Sequence, residues 1–227
     1  MRIIARIMLL LAALVLLTGC ANRKYAVGYD VAPANDISGP AVAVRGFSDA
    51  RPAAERTGEG VGILNSSTYD TMYTEEVAAG ITRTLAAELR GAGVAASDDP
   101  ASNAQFIIDG TVLNFHAVQV PPIESYIPYL NNVSWLWTDD SVAVSLRLQM
   151  TVTDRARDEV LLDRTYDVSQ DTAVWVGFLN LDSRVNNFTR KQLAELLQAG
   201  LHELMARMVA DIRQAAGRWL PPPGSGQ

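Results

Sequence analysis

Residues 140–153 alternate without a break. Val142, Val144, Leu146, Leu148, Met150 and Val152 fall on one side of an extended chain, and Ala143, Ser145, Arg147, Gln149 and Thr151 fall on the other. A run this long with period two is a β-strand with one dry face and one wet face, the pattern of an antiparallel sheet covered on one side only. Any fold for this chain must therefore supply a sheet and an apolar layer to lay on it. The layer is present further on. Over 189–218, Leu193, Leu196, Leu197, Leu201, Leu204, Met205, Met208, Val209 and Ile212 make a broad apolar stripe at helical spacing, with Gln198, His202, Arg207 and Arg213 opposite. Thr189 and Gln192 have capping-box spacing, and the helix would be roughly 40 Å long.

The remaining elements fit around these two. AVAVRGF over 41–47 predicts a first strand, VGIL over 61–64 a short second one, and 48–59 and 65–73 read as loops. Val77, Ile81, Leu85 and Leu89 predict a helix over 74–90, with Thr74 as N-cap and Gly91 and Gly93 ending it. A turn follows at 97–100. Residues 105–120 are apolar on both faces near their start, as in a central strand, and end at Pro121 and Pro122. After the 140–153 strand, a turn at 154–158 and Val160, Leu162, Tyr166 and Val168 complete a hairpin. The expected fold class is α+β, a mainly antiparallel sheet with two helices packed on one face.

The N-terminus has a separate logic. Arg2 and Arg6 precede an apolar run that ends in LTGC, with Cys20 the sole cysteine of the chain. A short positive segment, an apolar core and small residues before a cut describe a secretory signal. The run is shorter than the about 20 residues a membrane span needs. A lone cysteine in a secreted chain forms no internal disulfide and needs another use. Thr18-Gly19-Cys20 resembles a bacterial lipobox. The resemblance implies cleavage before Cys20, a diacylglycerol on its sulfur and an acyl chain on its amine, a set of chains that anchors a protein stably. Ala21 in place of Asp implies, again by resemblance, the outer membrane, facing the periplasm; the periplasmic face of the inner membrane is the alternative. The organisation expected is a signal peptide at 1–19, a lipidated tether at 20–40 with room for one edge strand, a single periplasmic α+β domain at 41–218 and a disordered tail at 219–227.

Charge excludes some partners. The formal net charge is −6, and loss of Arg2 and Arg6 with the leader takes it to −8. An acidic chain without a Lys/Arg cluster is a poor nucleic-acid binder. No non-covalent cofactor or metal is expected. The two histidines, His116 and His202, have no metal-ligand spacing and are expected to be satisfied or solvent-facing. The glycines at 58, 60 and 62 lack the strand-before, helix-after context of a phosphate loop. The pairs Asp98 and Asp99, Asp139 and Asp140, and Asp154 and Asp158 stand where turns call for Asp.

Two aromatic-rich stretches remain. PPIESYIPYLNNVSWLW over 121–137 carries Tyr126, Tyr129, Trp135 and Trp137; WVGFL over 175–179 carries Trp175 and Phe178. They either finish the core or form an apolar patch for a partner or ligand.

The pattern V-x-V-x-G-F-x-D-x-R-P over 42–52, the amphipathic helix ending in G-x-G-V at 75–94 and I-x-G-x-V within 107–112 resemble small outer-membrane lipoproteins of the YajG type. In outline they are also similar to the PqiC-type auxiliary lipoproteins of lipid-trafficking ABC transporters. The aromatic stretch at 121–137 is not part of that pattern. The resemblance implies a non-enzymatic role, structural or transport-auxiliary, in which the chain binds the membrane through its lipid and an envelope protein through its surface. The alternative is a lipoprotein that holds an apolar ligand, such as lipid, in an aromatic-lined cleft.

Overall fold

A computed structural model describes residues 24–37, 41–58, 66–99, 102–120, 140–174 and 187–219. Six strands form one mixed sheet: β1 (Val42–Asp49), β2 (Ser66–Ser67), β3 (Ala96–Ser97), β4 (Phe106–Val120), β5 (Asp140–Asp154) and β6 (Glu159–Val174). The order across the sheet is β3-β1-β4-β5-β6, and β2 pairs with β4. The helices are α1 (Ala53–Thr57), α2 (Val77–Gly91) and α3 (Asn187–Trp219).

The alternation in β5 does what its pattern demands. Val142, Val144, Leu146, Leu148, Met150 and Val152 are all buried, and Arg147 on the opposite face is exposed. Helix α2 packs on β1 and β3, and α3 lies across β4, β5 and β6, so two helices cover one face of the sheet. The α3 stripe from Leu193 to Ile212 joins these strands in a single core with Ile81, Leu85 and Leu89 of α2. The other face of the sheet stays wet. It carries Arg45 paired with Asp109, Ser48 beside Thr111, and Gln149 donating to Asp163.

The sheet is antiparallel from β4 to β6, but β1 runs parallel to both β3 and β4. The reason is the connection. Parallel neighbours need a crossover of a dozen or more residues, usually a helix, and α2 is that crossover. The two family-like patterns meet in this parallel pair: Phe47 of β1 stands opposite Gly110 of β4. A Cβ on Gly110 would lie 2.2 Å from the Phe47 ring, so only glycine leaves room for it.

Several expectations change. The loop at 48–59 contains α1, one helical turn after Pro52, and the loop at 65–73 contains β2 and a 3₁₀ turn at Asp70–Met72. The short strand expected at 61–64 lies outside the described residues. The turn at 97–100 begins with β3, paired to β1. Helix α2 starts at Val77, with Glu76 rather than Thr74 at its N-cap. The Thr74 N–H is used elsewhere, donating to the Tyr25 carbonyl at 2.9 Å, and Glu75 pairs with Arg83. Gly93, at φ 80°, occupies the left-handed conformation that closes the helix end.

The largest change concerns the segment read as a tether. Residues 24–37 are packed along the domain. Tyr25 bridges to Tyr73, Val27 is buried, and the Ala34 N–H donates to the Arg90 carbonyl. The side of α3 expected to face water holds this segment in place: Gln198 donates to the carbonyls of Ala26 and Gly28 at 3.0 and 2.9 Å. Arg213 on the same helix reaches the Ala92 carbonyl, and Arg207 reaches that of Asp167.

Candidate functional site

The outer edge of β4 is shared by four different partners. β1 pairs with it up to Val112, the Glu55 carboxylate accepts from the Phe115 N–H, Thr68 exchanges hydrogen bonds with Ala117, and β2 pairs at Gln119 and Val118. Glu55 therefore stands in for a strand carbonyl in the gap between β1 and β2. Burial pushes its carboxyl above the ordinary range, and its Oε2 makes no hydrogen bond. His116 faces the other side of β4 at this level and bonds the Thr68 backbone. Burial holds its imidazole below the ordinary value, and its Nδ1 is buried without a partner. It is thus neither fully satisfied nor solvent-facing, as the sequence led one to expect.

Next to this edge is a charged node. The Arg51 guanidinium, whose side chain is 1% exposed, donates to both oxygens of Asp49 at 2.9 and 2.7 Å and to Asp70 at 2.7 Å. Arg56 of α1 reaches both carboxylates from the solvent side. The pairing ties the end of β1 to the 3₁₀ turn and explains the D-x-R spacing in the sequence: residues two apart on a strand end share a side. Arg51 holds the Asp49 carboxyl below its ordinary range, although partial burial opposes it. An open cleft of about 360 Å³ lies beside the node, lined by Lys24, Arg51, Asp70, Tyr73 and Glu76 among others.

A second polar cluster joins three elements. The Tyr29 hydroxyl donates to Glu88 at 2.6 Å, and His202 Nδ1 lies 3.2 Å from the same oxygen. Burial and the Glu88 carboxylate push the Tyr29 phenol up, away from the phenolate form a base would need. The cluster clamps the N-terminal segment to α2 and α3. Asp154 is buried and accepts from the N–H groups of Ala156 and Arg157, the turn role expected of it. Among the described residues no group of three or more His, Cys, Asp or Glu is placed to hold a metal. No described helix is long and apolar enough to cross a membrane.

A second cleft, about 410 Å³, opens between the start of β6 and the C-terminal part of α3. Glu159, Val160, Leu162, Arg164, Asp211 and Gln214 line it, and Val160 is 57% exposed. Asp211 accepts from both Arg164 and the Tyr166 hydroxyl at 2.8 Å. Sequence reasoning missed both this cleft and the Arg51 node. The node had a signal, the D-x-R pair; the cleft depends on where α3 crosses β6 and had none.

Cys20, Tyr126, Tyr129, Trp135, Trp137, Trp175 and Phe178 all lie outside the described residues. The described strands nevertheless fix where their segments are attached. Val120 pairs with Ser141, and Asp140 pairs with Val174. Both ends of the first aromatic stretch and the start of the second therefore join three neighbouring strands at one end of the sheet.

No family model matches the sequence, and no curated protein matches it. Similar solved structures include a DUF330-family protein of Xanthomonas campestris. It shows 10% identity and a TM-score of 0.49 over 83% of this chain and 93% of that one. Another is the PelC dodecamer of Paraburkholderia phytofirmans, with 11% identity and a TM-score of 0.36 over 79% and 93%. A third is a putative neuraminyllactose-binding hemagglutinin homolog of Helicobacter pylori, with 12% identity and a TM-score of 0.42 over 86% and 95%.

Proposed function

We propose that this chain is a non-catalytic lipoprotein of the bacterial envelope. Acyl chains on Cys20 hold it on the outer membrane facing the periplasm, and it acts as a structural or transport-auxiliary module by binding a protein partner. One observation carries the partner site. Trp175 directly follows Val174, the strand partner of Asp140, and Trp137 lies three residues before Asp140. Covalent reach and strand spacing keep the two tryptophan backbones within about 20 Å of each other, however the intervening residues run. Two aromatic-rich stretches far apart in sequence are thus attached at one end of the sheet, as a shared patch for a partner would require. The resemblance to YajG-type and PqiC-type lipoproteins supports the same role.

The test is a photo-crosslinking amino acid at Trp135 or Trp175 in intact cells, with adducts identified by mass spectrometry. A discrete adduct with an envelope protein is expected. Replacing Trp135 and Trp137 together by Ser should impair function and leave the melting temperature of the soluble domain nearly unchanged. A large fall in melting temperature would instead make these residues core and end the partner-site reading.

A further inference from the structure

We infer that the end of the domain bearing Lys24, the 3₁₀ turn and the first turns of α3 faces the lipid bilayer, with the β5–β6 hairpin turn pointing away. The inference rests on the proposed lipidation of Cys20 and adds an orientation to it. The chain is already held against the domain at Tyr25, next to Lys24, where the Tyr25 N–H donates to the Met72 carbonyl at 2.8 Å. Three residues, Ala21, Asn22 and Arg23, separate Lys24 from Cys20, so the two Cα atoms, four steps apart, lie at most about 14 Å from each other. A cysteine whose acyl chains are in the bilayer has its backbone at the bilayer surface. The Lys24 end of the domain must therefore lie within about 14 Å of that surface, too near for the domain to turn over freely.

The direction of the fold then decides the rest. Tyr73, bridged to Tyr25, packs on Phe115 of β4 at 5.8 Å between ring centres. From Phe115 the strand descends to Phe106, which pairs with Asp154 at the hairpin turn. That descent is about 30 Å at the usual rise of a strand. The near end also carries the chemistry of an interface. The chain has two lysines, Lys24 and Lys191, and both are exposed there, Lys191 in the early turns of α3 where Arg190 covers Tyr69. Arg56 is exposed nearby, and Val120, 39% exposed, closes β4 at the same end. Asp49, Asp70, Glu75 and Glu76 line the cleft beside Lys24, and Glu195 lies 3.4 Å from Lys191, so this end has no polybasic patch and the acyl chains, rather than charge, would hold it at the bilayer.

The experiment uses the full-length protein, purified with its lipid and reconstituted in vesicles of phosphatidylethanolamine, phosphatidylglycerol and brominated phosphatidylcholine. The acylated Cys20 sulfur does not react with thiol reagents, so Thr71→Cys, Lys191→Cys and Arg157→Cys each offer one thiol for a small fluorophore. Bromine should quench a large part of the emission at Thr71→Cys and Lys191→Cys and little at Arg157→Cys in the hairpin turn. Equal quenching at all three, or more at Arg157→Cys, overturns the orientation while leaving the lipoprotein reading intact. A mass spectrum without acyl chains on Cys20, together with protein that does not float with vesicles, overturns both.

Discussion

The two faces of the sheet are made from the same strands and behave as different materials. On the covered face, successive inward residues of β5 are buried without exception, and α3 and α2 close over them. On the bare face, the residues between them hold exposed ion pairs and hydrogen bonds such as Arg45 with Asp109 and Gln149 with Asp163. Stability is therefore concentrated in one layer, where burial removes apolar surface from water, and the other layer is free to vary. Four measurements break or sharpen that contrast.

The largest effect is expected in the covering helix. Leu201 is fully buried against the sheet, so Leu201→Ala should cost about 2–5 kcal/mol in denaturant unfolding. A loss below about 1 kcal/mol would mean that α3 is not what closes this face. Next is the node at the end of β1. Arg51→Met leaves Asp49 and Asp70 without their buried cation. Because both acids retain some solvent, the cost should fall short of the 3–5 kcal/mol typical of a fully buried broken pair, at about 2 kcal/mol. A neutral result would make the node ornamental.

A smaller effect depends on pH. The folded state holds the His116 imidazole below its ordinary value, so it favours the neutral ring. Stability from this residue is complete above the ordinary histidine pKa of about 6.5 and falls as pH drops through that value towards the lower folded one. The melting temperature should drop more between pH 7.5 and 5 in the parent protein than in His116→Gln; equal drops would show that the ring is not desolvated. The smallest effect belongs to the bare face. Arg45 and Asp109 are 48% and 44% exposed, so a double-mutant cycle should give a coupling of about 0.2–1 kcal/mol. A value near that of the Arg51 node would erase the contrast.

Much of this architecture was legible in the sequence because burial imposes a period. The β5 alternation, the Leu85 and Leu201 stripes and the Gly93 stop each state their role locally. The parallel pairing of β1 was implicit in the strand-helix-strand order around 74–90, but strand partners are a property of the whole sheet and no single run of residues announces them. Residues 24–37 misled for a different reason. Pro33, Asn35 and Asp36 read as a loose tether, while the order of the segment comes from distant groups, Gln198 of α3 and Arg90 of α2. The Arg51 node was visible only as a spacing, since Asp70 reaches it across 19 residues of chain. The proposed site is the least legible part, because an aromatic stretch looks the same whether it completes a core or meets a partner.

Strand β6 closes the sheet on its outer side, sixteen residues long and, among the described residues, with no strand beyond it. Its bare face bears Asp163, Asp167 and Asp171, and Arg207 occupies the Asp167 carbonyl. Proteins confined to a surface meet far more often than in solution, and always with the same side up. An open strand would then be an invitation to polymerise. Here a second β6 laid antiparallel would bring carboxylates face to face, and one of its docking carbonyls is already taken. On a chain anchored as proposed, the row of aspartates would act as a spacer between neighbours, letting many copies share a crowded membrane without knitting into a sheet.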